Sequence, residues 1–180
     1  MDEALPTFRF HPDPVRSGSV ARSDVLCEAC GRTRGWAYAG PCHAETELDG
    51  RLCPWCIADG TAHARFDVTF HDVVLPADVD PGIADEIEQR TPGFATFQPI
   101  DWPACCGVPM GYVEPCGIAE VRARHAQLEG ELMATIVHDL GRSGAAARRM
   151  LESLRRDDAP CVHVFACAAC GARRGQIDAL

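Results

Sequence analysis

The chain has 180 residues, 47% of them hydrophobic, and a formal charge of −9. That is enough for one ordinary domain, or for a small metal-held module beside a helical segment, and the acidic balance counts against a phosphate backbone as partner. Its 11 cysteines are the unusual quantity. The opening Met1-Asp-Glu-Ala-Leu-Pro6 lacks the basic and apolar regions of a secretory leader. No apolar stretch approaches the roughly 20 residues of a spanning helix. The expected setting is therefore the reducing cytoplasm, where C-x2-C spacings hold metal rather than disulfides.

In chain order, residues 1–26 are polar and proline-marked, and Phe8-Arg-Phe10-His-Pro-Asp-Pro14 reads as an extended arm and turn, with Phe8 and Phe10 as a short strand or an anchor against the ribbon. Cys27-Glu-Ala-Cys30-Gly31 follows, then a strand near Gly35–Tyr38, a loop through Gly40-Pro41, and Cys53-Pro-Trp-Cys56. Gly31 suits a knuckle whose backbone N–H groups turn toward the sulfurs. Alternation of Ala64, Phe66, Val68 and Phe70 with polar residues predicts a half-buried strand.

Asp80-Pro81 reads as the cap and first position of a helix ending at Thr91-Pro92. Ile118, Val121, Leu128, Leu132, Ile136 and Leu140 predict one amphipathic helix closed by Gly141, and Ser143 opens another with Met150, Leu151 and Leu154 on its buried side. Arg148, Arg149, Arg155 and Arg156 alternate with Glu152, Asp157 and Asp158, the pattern of a solvated helix face rather than a nucleic-acid footprint. Val162, Val164 and Ala166 alternate as a strand before Cys167-Ala-Ala-Cys170-Gly171 repeats the first knuckle.

The first two C-x2-C segments, 22 residues apart, have the spacing of a zinc ribbon. Four sulfurs at about 2.3 Å close a tetrahedral shell and leave no position for substrate, so Cys27, Cys30, Cys53 and Cys56 are expected to hold a structural zinc. Rubredoxin-like iron fits the same four sulfurs. A thioredoxin-like thiol pair lacks its βαβ setting here. Cys167 and Cys170 cannot complete a site alone. Their nearest partners are Cys105 and Cys106, with Cys42, Cys116, Cys161 and His163 in reserve. Cys106 leads because it shares the Cys-Gly pairing, and adjacent cysteines in extended chain point apart.

His43, His63 and His71 near the ribbon read as surface or supporting groups, and Trp36, Trp55 and Trp102 as shields of the metals. Nothing links Asp59, Asp67 or Asp72 to a nucleophile or an open metal, so catalysis is not the expected role.

The chain resembles the CbrC-like family, named for a colicin tolerance protein. The matching blocks are Phe10-His-Pro-Asp-Pro14, Cys27–Gly35, Tyr38-Ala-Gly-Pro41, Leu52–Gly60 running on to Phe66-Asp67, Thr91-Pro-Gly-Phe94, Trp102–Gly107 and Phe165–Gly171. The resemblance implies the cysteine framework Cys27, Cys30, Cys53, Cys56, Cys105, Cys106, Cys167 and Cys170, and it implies no reaction. It departs at Met110, where the family tends to place a further cysteine; a thioether is a poor zinc ligand.

The expected architecture is α+β. An N-terminal zinc ribbon (1–75) precedes a helical segment (76–180) whose C-terminal strand carries the second cysteine knuckle. The expected function is a non-catalytic zinc-binding protein acting through a protein partner, with a nucleic-acid-binding ribbon and a rubredoxin-like iron or thiol redox protein as rivals.

Overall fold

The computed structural model describes residues 3–71, 73–77 and 79–179. Asp72 and the first two residues of the opening segment, all used in the sequence reading, lie outside the described residues. The chain forms two compact units, one of residues 1–95 and 99–111, the other of 96–98 and 112–180.

In the first unit, α1 (Pro14–Ser17) starts on proline, and the Asp13 carboxylate accepts the Arg16 N–H. This turn replaces part of the extended arm. Phe8 and Phe10 form no strand, yet both are buried and anchor the segment. β1 (Val20–Arg22) pairs antiparallel with β2 (Trp36–Tyr38), Val20 opposite Tyr38. α2 (Pro54–Ala58) begins directly after Cys53, and α3 (Thr61–Phe66) follows.

The strand expected over 64–70 is therefore largely helix. Ala62 and Phe66, four apart, both pack on the core, and the Ala64 and Asp67 N–H groups close local turns on the Gly60 and His63 carbonyls. Alternation survives only in Val68 and Phe70, where Thr69 bridges His43. Period-two apolar spacing over so few residues does not exclude a single helical turn and a half.

β3 (Val73–Val74) pairs in parallel with β4 (Ile100–Asp101). Between them α4 (Pro81–Arg90) has Asp80 accepting from Gly82 N–H at 2.8 Å, as its cap sequence predicts. The following Thr91-Pro-Gly-Phe94 segment is a close-approach site. A Cβ on Gly93 would lie 2.0 Å from the Phe70 carbonyl oxygen and 2.6 Å from the Tyr38 hydroxyl, and the Gly93 N–H donates to that hydroxyl at 3.0 Å. β5 (Ala104–Cys105) and β6 (Val108–Pro109) make a hairpin.

In the second unit, β7 (Gly111–Cys116), β8 (Cys161–Ala166) and β9 (Arg173–Asp178) form a sheet in that order. Its helices are α5 (Ile118–Arg124), α6 (Glu129–His138) and α7 (Gly144–Ser153). Val162 and Val164 pack with Val121, Leu128, Leu132, Ile136 and Leu151 in one apolar core. The single helix expected over 118–140 is interrupted at His125, whose φ of −138° leaves the helical range, and whose Nε2 lies 3.0 Å from Glu114. A buried hydrogen bond between His125 and Glu114 accompanies the break in local periodicity at that residue. The whole is α+β, with cysteine knuckles in the N-terminal and C-terminal regions, as the sequence led us to expect.

Candidate metal centres

The first centre is built by two local devices. In the Cys27 knuckle, the Gly31 N–H closes on the Cys27 carbonyl at 2.7 Å and the Cys27 N–H on the Arg32 carbonyl at 3.0 Å. Gly31 has φ +66°, a value glycine adopts without strain. Its amide therefore closes the turn. Amides facing the Cys27 sulfur come from Ala29, Cys30 and Cys53, with Cys53 N–H at 3.2 Å.

The second device is the start of α2, which has Cys53 at its cap and Cys56 in its first turn. The Glu28–Arg51 ion pair at 3.2 Å and the Glu28 N–H to Arg51 carbonyl bond at 2.9 Å tie the segment before α2 to the knuckle.

Sulfur separations are 3.9 Å for Cys27–Cys56, 3.9 Å for Cys30–Cys53 and 3.5 Å for Cys53–Cys56. Metal–sulfur bonds of about 2.3 Å in a tetrahedron give edges of about 3.8 Å. All four sulfurs are free thiols within 4.8 Å of one another, and three of the residues are buried. Without a cation they cannot all ionise. The Cys53 thiol hydrogen bond holds Cys27 down to about 4. The same bond raises Cys53, and burial pushes Cys56 up to about 12. A dication removes that conflict by stabilising every thiolate.

The remaining predicted ligands fall in two local structures. In the β5–β6 hairpin, Cys106 and Gly107 form the two-residue turn, with φ +55° and +76°, as a type I′ turn requires. This corrects the expectation that adjacent cysteines diverge. With Cys106 left-handed, the Cys105 and Cys106 sulfurs lie 3.8 Å apart, a tetrahedral edge. In the second unit, the Cys167 knuckle repeats the first: Gly171 N–H to Cys167 carbonyl at 2.9 Å and Cys167 N–H to Ala172 carbonyl at 2.8 Å. Cys167 is buried and Cys170 exposed.

The aromatic and imidazole groups divide. Trp55 is half-buried against the Cys27–Cys56 core; its indole N–H donates to the Ala4 carbonyl at 3.2 Å, and the Arg34 guanidinium lies over its ring. Trp36 stacks under Arg22. Trp102 is buried with its indole N–H on the Met110 carbonyl. His43 is exposed, and His63 Nδ1 donates to the Val68 carbonyl at 3.0 Å. His71 is no surface group. It lies buried edge-on to Phe94 and Trp102, with Nε2 unpartnered among the described residues, and burial pushes its pKa down to about 3.

Two clusters in the second unit were not assembled by sequence reasoning, which named Cys116, Cys161 and His163 only as reserve ligands for Cys167 and Cys170. Glu114, Cys116 and His125 are buried together. The Glu114 carboxylate receives Arg124 at 2.8 Å and Arg156 at 3.2 Å, and Arg173 bonds the other face of His125. Burial lowers the His125 pKa and pushes the Cys116 thiol up to about 12. Cys161, His163 and Asp178 form the other. The only sequence signal was Cys-x-His on an alternating strand, which puts both side chains on one face.

No helix among the described residues is long and apolar enough to cross a membrane. Fold and site thus define a cysteine-knuckle α+β protein with thiol clusters able to hold metal. Residues 5–179 match the model of Uncharacterised protein family (UPF0167), and the chain belongs to that family. It is 37% identical over 180 residues to UPF0167 protein Mb2317 of Mycobacterium bovis, covering 98% of this chain and 94% of the relative. It is 35% identical over 181 residues to UPF0167 protein PA1536 of Pseudomonas aeruginosa, covering 99% of each. No solved structure matches it significantly.

Proposed function

We propose that this is a non-catalytic, cytoplasmic zinc protein in which the metal holds the fold and a protein partner reads the resulting surface. The observation that carries the proposal is the Cys27, Cys30, Cys53, Cys56 shell, with its three sulfur separations of 3.5–3.9 Å at tetrahedral edges and no vacant position. Cys105, Cys106, Cys167 and Cys170 supply a second four-thiolate zinc site. Its support is the Cys-Gly repetition in sequence and the matching local geometry of each pair. The CbrC-like resemblance associates the partner with colicin tolerance or envelope stress.

The formal charge of −9 weighs against the nucleic-acid reading. Iron is tested in the same measurement as zinc. Elemental analysis of the native protein is expected to find zinc, with Cys27→Ala and Cys56→Ala each losing the equivalent held at the first centre. Iron with visible absorbance would replace the zinc assignment with a redox one, and a metal-free native protein would end both.

A further inference from the structure

The two buried Cys/His/carboxylate clusters of the second unit differ in what neutralises the acid. Glu114 has two permanent cations, Arg124 and Arg156, in contact with its carboxylate, so its charge is met by the protein. Asp178 is equally buried, at 1% exposure, and has none among the described residues. Oδ2 accepts from Phe97 N–H at 2.7 Å and lies 3.2 Å from His163 Nε2, while Oδ1 is buried with no hydrogen-bond partner among the described residues. An ionised carboxylate in such a place is costly unless a cation joins it.

The sheet register explains the convergence. Cys161 and His163 alternate along β8 on one face, and β9 sets Asp178 directly opposite Cys161. Cys161 Sγ lies 3.6 Å from His163 Nε2, and that nitrogen lies 3.2 Å from Asp178 Oδ2. A tetrahedral zinc with bonds of about 2.3 Å to sulfur and about 2.05 Å to nitrogen and oxygen has edges of about 3.6 Å and about 3.3 Å.

We propose that Cys161, His163 and Asp178 form a mixed-donor zinc site, distinct from the four-thiol centres. A dication with one thiolate, one carboxylate and a neutral imidazole sums to zero charge, which supplies what Asp178 lacks. Binding at Sγ sends the thiol proton to solvent. Binding at Nε2 leaves the imidazole proton on Nδ1, where the Tyr112 hydroxyl at 3.3 Å accepts it and fixes the ring, as supporting groups do at metal-bound histidines. Three protein ligands leave the fourth position for water.

Cadmium-113 NMR of the intact chain loaded with cadmium tests this without altering any residue. Sulfur donors deshield cadmium more than nitrogen or oxygen does, so a signal far upfield of the tetrathiolate signals is expected. It should vanish in Cys161→Ala and in the nearly isosteric Asp178→Asn, with zinc content falling by one equivalent per chain in each. A wild-type spectrum with tetrathiolate signals alone overturns the site, as does an Asp178→Asn protein that keeps its full zinc. Loss of the tetrathiolate signals with the upfield one retained would instead count against the four-thiol reading.

Discussion

The knuckles at Cys27–Gly31 and Cys167–Gly171 share one backbone design and differ in everything around it. Both close a glycine N–H on the first cysteine carbonyl, at 2.7 and 2.9 Å, and both glycines sit at positive φ, +66° and +73°. The first knuckle lies inside an apolar core with Leu48, Leu52, Ile57 and Phe70. In the second, Ala168, Ala169 and Cys170 are exposed. A short motif can thus prescribe ligand geometry while leaving the energetic weight of the metal to the packing around it.

The largest expected effect tests that weight. Zinc in a small structural site contributes on the order of 10 kcal/mol, comparable to the total stability of a domain. Chelation, or Cys56→Ala, should therefore unfold the first unit, seen as loss of near-ultraviolet circular dichroism. Cys170→Ala, at an exposed position, should cost less than about 2 kcal/mol in urea unfolding. Equal losses from the two variants would break the contrast.

Acid should also act on the first unit. Burial pushes His11 down to about 4 and His71 to about 3 from 6.5, so the unfolded chain binds more protons over the interval between. Stability is complete above about pH 6.5 and falls as pH drops toward the folded values. For His11 alone the loss is about 3 kcal/mol, at roughly 1.4 kcal/mol per unit. Urea midpoints at pH 7 and pH 5, read with zinc content monitored, check it; a flat profile would mean these imidazoles are not held neutral.

The smallest effect concerns the shared design. A Cβ at Gly31 or Gly171 meets nothing within 4 Å, so alanine at either place should cost only the left-handed backbone term, about 1 kcal/mol. Unequal costs would show that the two turns are not equivalent.

What sequence could reveal followed from range. Cys-x-x-Cys-Gly encodes its turn within five residues, and Asp80-Pro81 encodes a helix start within two, so both were legible. Asp178 was not, because its role depends on β9 pairing with β8 in one register, and Arg173-Arg-Gly-Gln176 has little apolar alternation to announce a strand. The closeness of the Cys105 and Cys106 sulfurs was not legible, because Cys106 turns left-handed where the sequence suggests extended chain. The helix break at His125 required knowing that Glu114, 11 residues away in sequence, would be its partner.

The tethering of Trp55 to Ala4 gives the protein an internal optical gauge. Its indole adjoins Cys56 in the chain, carries the Arg34 guanidinium on one face and donates to the Ala4 carbonyl. Metal loss at the first centre should free the ring and move its emission to longer wavelength. Trimming the opening residues should disturb the same emission while the metal stays bound, so a label-free fluorescence titration can separate release of the ion from release of the chain end.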